Sequence, residues 1–93
     1  MVVALKTVEI FIPQSQSLKD KRQVLRHIKD KVRANFNVSV AEVDFQDKWQ
    51  RATLAFVTVG SKREEVDGRL DEIMRLFYDD TRVEVAQVES AYL

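Results

Sequence analysis

Ninety-three residues support one domain rather than two, since two independent hydrophobic cores rarely fit in so short a chain. With 45% hydrophobic and 32% charged residues, the composition is that of a folded globular domain and not of a disordered segment. Fifteen basic residues cancel fifteen acidic ones, so no global charge draws the chain to nucleic acid or anionic membrane, and the absence of cysteine excludes a disulfide framework, a thiol nucleophile and a cysteine-ligated zinc site.

The elements follow in chain order. Residues 2–12 are rich in Val, Ile and Phe, and Val8, Ile10 and Ile12 alternate with Thr7, Glu9 and Phe11, which predicts a strand that Pro13 ends. Ser17 then suits a helix N-cap, with Asp20 three residues on as a near variant of the capping box. A helix is expected from Leu18 to about Ala34, with Leu25, Val32, Ile28 and Val24 on one stripe and the asparagines at its exit suited to a helix end. Residues 37–46 predict a second strand. Its apolar positions change face between Val40 and Ala41, so a β-bulge is expected near Ala41 and Glu42. Asp47 and Lys48 predict a tight hairpin into a third strand from Trp49 to Val59. Ser61 with Glu64 forms a second capping-box signature ahead of a helix from about Lys62 to Tyr78, where Val66, Leu70, Ile73, Met74 and Phe77 repeat at helical spacing. Residues 82–92 predict the last strand.

The order is therefore βαββαβ: an α+β, ferredoxin-like single domain over residues 1–93, its antiparallel four-stranded sheet carrying two helices on one face. A sheet with one wet face alternates apolar and polar residues. The third strand does not: Leu54 and Phe56 point one way, and Ala55, Val57 and Val59 the other. Leu5 and Phe11 add apolar groups opposite the Val8, Ile10 and Ile12 row. An interface is therefore expected to draw on Leu5, Phe11, Leu54, Phe56 and Trp49, with self-association through the open sheet the first reading. The alternative is a nucleic-acid platform, because Ala55-Phe56-Val57 resembles the third-strand motif of RNA-recognition domains; Leu54 and Thr53 stand where that motif has an aromatic and a glycine.

The first helix is basic. Lys19, Lys21, Arg22, Arg26, Lys29, Lys31 and Arg33 face only Asp20 and Asp30, seven against two. With Leu18 at zero, Lys29, Arg22, Arg33, Arg26 and Lys19 fall at about 20°, 40°, 60°, 80° and 100°, beside the apolar stripe. These five are the candidate nucleic-acid-binding residues, since spaced cations track phosphates without base contacts. The second helix is acidic outside its apolar stripe, with Glu64, Glu65, Asp67, Asp71 and Glu72 against Lys62, Arg63, Arg69 and Arg75. Cations pointing toward it would be consumed internally; cations pointing away would be available.

Catalytic chemistry lacks its parts. The loop after the first strand has no glycine to cradle phosphate, Ser17 is explained by capping, and nothing activates Ser15. His27 falls on the solvent side of its helix. The Asp79-Asp80 and Glu42, Asp44 pairs lack a cation-binding loop, and Gly60 and Gly68 form no nucleotide-binding pattern. No catalytic residue, metal or cofactor is expected. Lys6 and Glu9 interrupt the apolar opening before a signal-peptide core forms, and no run approaches the roughly 20 apolar residues that span a bilayer, so a cytoplasmic location without membrane contact is expected.

Three stretches together, Ser17 to Arg22, Phe36 to Val43 and Trp49 to Ala52, resemble the YlxP-like family, small bacterial proteins classed as a domain of unknown function. The resemblance implies a ferredoxin-like fold, and the placing of the family's genes beside ribosome-maturation and translation-initiation genes implies a link to RNA or the ribosome. Relatives carry Gly-His before the hairpin glutamine where this chain has Asp44-Phe45. The expected role is thus a non-catalytic binding module that touches RNA with its first helix. The alternative is a structural or protein-interaction homodimer without nucleic-acid binding, and regulatory binding of a small ligand between subunits has no residues to support it.

Overall fold

The alternation of Val8, Ile10 and Ile12 sets the first strand, and the computed structural model, which describes residues 1–93, carries it as β1 over Val2–Phe11. The order continues α1 (Leu18–Asn35), β2 (Ser39–Asp44), β3 (Arg51–Gly60), α2 (Arg63–Asp79) and β4 (Glu84–Tyr92). The four strands make one antiparallel sheet in the order β2-β3-β1-β4, the ferredoxin-like arrangement. No helix is long and apolar enough to cross a membrane.

Helix α1 begins where its cap demands. Ser17 Oγ accepts the Asp20 amide at 3.0 Å, and the Asp20 carboxylate accepts the Gln16 amide at 3.0 Å. The reciprocal bond thus goes one residue before the cap. At α2 the expected Ser61–Glu64 pairing is replaced: Lys62 occupies the cap position without a side-chain bond, and Glu65 takes both the amide and the hydroxyl of Ser61 at 3.2 and 3.1 Å. Those bonds, the Ser61 amide foremost, hold the exposed Glu65 carboxyl below the usual carboxylate range. A start one residue later than expected puts Glu65, not Glu64, within reach of Ser61.

The core lies between the helices and one sheet face. Ala4, Val8 and Ile10 of β1 and Ala52, Leu54 and Phe56 of β3 are fully buried there with Leu25, Ile28 and Val32 of α1 and all five stripe residues of α2. Phe56 and Phe77 meet edge to face at 5.6 Å. Burying each such Leu or Phe contributes about 1.5–3 kcal/mol. Arg69 of α2 bonds the Thr58 hydroxyl and the Val59 carbonyl, which ties the helix to the end of β3.

This placement corrects the expected interface. Leu54 and Phe56 have no exposed surface, because they point at the helices. The open face instead carries Ala55, Val57 and Val59 of β3 with Leu5 and Phe11 of β1, as the register requires. The bulge in β2 lies at Val43, between Glu42 and Asp44, one to two residues later than expected. The tight hairpin is also corrected. Strand β2 ends at Asp44 and β3 starts at Arg51, so residues 45–50 form a wider loop, with Phe45 at a left-handed φ of 61°.

Candidate functional site

The cations of α1 divide by angle. Lys21 stands at about 300° on the helix, inside the apolar stripe. It is accordingly buried, with 1% of its surface exposed. Its ammonium group donates to the Phe45 carbonyl at 2.6 Å and the Lys48 carbonyl at 2.8 Å, and pairs with the Glu42 carboxylate at 2.8 Å. A buried charge persists only when it is paired and hydrogen-bonded in this way. Lys21 therefore fastens the β2–β3 loop to the first turn of α1. Gln50 completes the attachment, with its side-chain amide donating to the carbonyls of Pro13 and Ser15 at 3.0 and 2.9 Å and its backbone carbonyl accepting from the Ile12 amide at 2.9 Å.

The other flank is open. Arg22, Arg26, Lys29 and Arg33 line one groove of about 330 Å³ with Leu25, Asp30 and Glu42, along the edge strand β2. None of them forms an ion pair; the only polar contact among them is Arg33 to the Val40 carbonyl at 3.2 Å. Lys19 is exposed outside the groove. The opposite flank of α1 faces the end of α2: His27 and Lys31 share a cavity of about 320 Å³ with Leu76, Asp79, Asp80 and Arg82. There Arg82 binds Asp80 at 2.6 Å and lies 2.8 Å from His27 Nδ1. The Arg82 side chain holds the Asp80 carboxyl below its usual range. The expected competition between α1 cations and α2 carboxylates thus resolves by direction, since no ion pair joins the two helices.

The residues expected at one interface are dispersed. Leu5 is half-buried toward the apolar end of the open face, where Val59 is exposed. Phe11 stands at the other end, paired across from Arg51. Arg51 stacks on Phe45 with its guanidinium carbon 3.8 Å from the ring centroid, lies 5.6 Å from the Phe11 ring, and binds Glu9 at 3.1 Å. Trp49 sits off the sheet in the β2–β3 loop, 56% exposed. The middle of the open face is a shallow groove of about 160 Å³ lined by Glu9, Asp44 and Glu89 among others. The aromatic of that acidic centre, Phe45, is half-buried with Arg51 stacked on its ring, and Phe56, which suggested an RNA-recognition platform, lies under the helices.

Sequence reasoning missed Lys21 and Gln50. The signal for Lys21 was its angle within the apolar stripe; Gln50 gave none, because its partners come from a different loop.

The family description "Protein of unknown function (DUF503)" matches residues 3–90. The chain belongs to the DUF503 family. A relative from Bacillus subtilis (strain 168), named "Uncharacterized protein YlxP", is 34% identical over 73 residues, 78% of this chain and 79% of its own length. A solved structure titled "Structure of the REP associates tyrosine transposase bound to a REP hairpin" aligns over 99% of this chain with a TM-score of 0.47 and 14% identity, and the chain spans 56% of that protein's length.

Proposed function

We propose that this DUF503 protein is a non-catalytic cytoplasmic binding module that takes RNA, free or within the ribosome, along the outer flank of α1. The observation that carries the reading is the groove in which Arg22, Arg26, Lys29 and Arg33 converge without a carboxylate partner. Glu42 in its wall is neutralised by Lys21, which leaves Asp30 as the opposing charge. Cations spread over about 16 Å of helix suit a phosphate backbone, because each phosphate neutralised releases a condensed counterion. A non-catalytic role is supported by the engagements of the groups considered as catalysts. Ser15 donates its hydroxyl to the Ser17 carbonyl, and His27 sits against Arg82.

The test is RNA affinity measured against salt. Log affinity should fall linearly with log salt concentration, and Arg22→Glu with Arg26→Glu should abolish binding and flatten that slope. Wild-type protein without RNA affinity at low salt would refute the reading. A second reading, self-association through the open sheet, is supported by the apolar end of that face, where Val59 is 46% exposed beside half-buried Leu5 and Val57. Sedimentation tests it: Val57→Lys should dissociate a dimer, and a strict monomer would refute it.

A further inference from the structure

We infer that the β2–β3 loop carries a nucleobase-stacking pocket, built by Trp49 and Phe11, that receives an unpaired base from the strand held along α1; this rests on the reading of the α1 groove as an RNA site. The pocket is an open depression of about 430 Å³ lined by Phe11, Asp47, Lys48, Trp49, Gln50 and Arg51. Its two aromatic walls are open to solvent, Trp49 at 56% and Phe11 at 37%.

The loop's attachment makes that exposure informative. Lys21 grips two of its carbonyls, Gln50 grips two carbonyls of the β1–α1 loop, and Arg51 is fixed by Phe45 and Glu9. A loop tied down at so many points has the means to lay its tryptophan on its own sheet, and it does not. The loop's course is fixed on both sides of Trp49 while the ring itself is left uncovered, so a ligand that stacks on it meets a backbone already in place.

The occupant follows from what adjoins the pocket. Glu42 lines the cationic groove and Lys48 lines the pocket, and the buried Lys21 ammonium group touches both at 2.8 Å, so a wall residue of one lies beside a wall residue of the other. Unpaired cations beside a site with exposed aromatic faces are the two parts of a single-strand binding surface: the cations follow phosphates and the rings take bases of any sequence. With Arg51 paired to Glu9, Lys48 balances Asp47 in the lining, so the charge that selects a polyanion is that of the adjoining groove. A duplex cannot use the pocket, because its bases are stacked internally. The strand favoured is therefore single-stranded.

Trp49 is the only tryptophan in the chain, so its fluorescence reports on the pocket alone. Titration with a short single-stranded oligoadenylate should quench its emission, whereas inorganic polyphosphate, which has phosphates and no bases, should bind the groove without quenching. Trp49→Ala should weaken oligoadenylate binding about 5- to 150-fold while leaving the salt slope unchanged, and Trp49→Phe should retain most of the affinity. Oligoadenylate that binds with a normal salt slope but neither quenches Trp49 nor responds to Trp49→Ala would overturn this inference and leave the α1 reading standing. A wild-type protein that binds neither probe would overturn both. A Trp49→Ala variant that alters the sedimentation of the protein alone, with RNA binding intact, would assign the ring to a protein contact and overturn the pocket.

Discussion

Lys21 and Arg22 adjoin in sequence on α1, yet one is 1% exposed with two carbonyl acceptors and a carboxylate partner and the other is exposed with no carboxylate partner. The inner cation is a fastener, and the outer flank from Arg22 to Arg33 is uncommitted charge. A step of about 100° around the helix separates these roles, so the helix's charge count describes neither. Removing the inner cation should cost stability and leave the groove's cations in place; removing outer cations should do the reverse.

The largest expected effect follows from breaking the buried pair. Lys21→Met should destabilise the protein by about 3–5 kcal/mol in denaturant unfolding, because it strands the Glu42 carboxylate and two carbonyls. The double variant Lys21→Met with Glu42→Leu should recover part of that loss. Arg22→Ala should shift stability by less than about 0.5 kcal/mol in the same assay. Equal costs for Lys21 and Arg22 would erase the distinction between them.

Gln50→Ala should cost about 1–3 kcal/mol and loosen the β2–β3 loop, read as faster amide exchange there, since the Pro13 and Ser15 carbonyls lose their donor. Ser17→Ala should cost about 1 kcal/mol by removing the bond to the Asp20 amide, with the outer flank untouched. The smallest effect concerns the far flank of α1. Asp80 has a folded pKa below its unfolded value, so its contribution is present above about pH 4 and is lost as pH falls through the lower, folded value. Asp80→Asn should therefore reduce the loss of stability on acidification below about pH 4, measured by denaturant midpoints; an unchanged acid limb would show that the Arg82 pair contributes nothing.

Strands and helices were legible wherever one face is apolar and the other polar. The stripes of α1 and α2 and the alternation of β1 each met the core as expected. β3 was not legible in the same way, since both of its faces carry apolar groups; pairing with β1 and coverage by the helices decide that Leu54 and Phe56 turn inward. Helical angle grouped Arg22, Arg26, Lys29 and Arg33, which share the groove, with Lys19, which lies outside it. The hairpin was not legible, because its six-residue course depends on Lys21 and Gln50 reaching across the fold. Trp49 was singled out by its type, but its place off the sheet follows a loop course that the sequence did not show.

Placement, not total charge, is the central claim, and a matched pair of charge reversals tests it most directly. Arg22→Glu with Arg26→Glu changes the outer flank; Lys31→Glu with Arg75→Glu makes the same change in net charge at exposed positions outside the groove. Affinity for single-stranded RNA at low salt should collapse in the first variant and stay within a few-fold of wild type in the second. Equal losses in the two, or none in the first, would contradict the account.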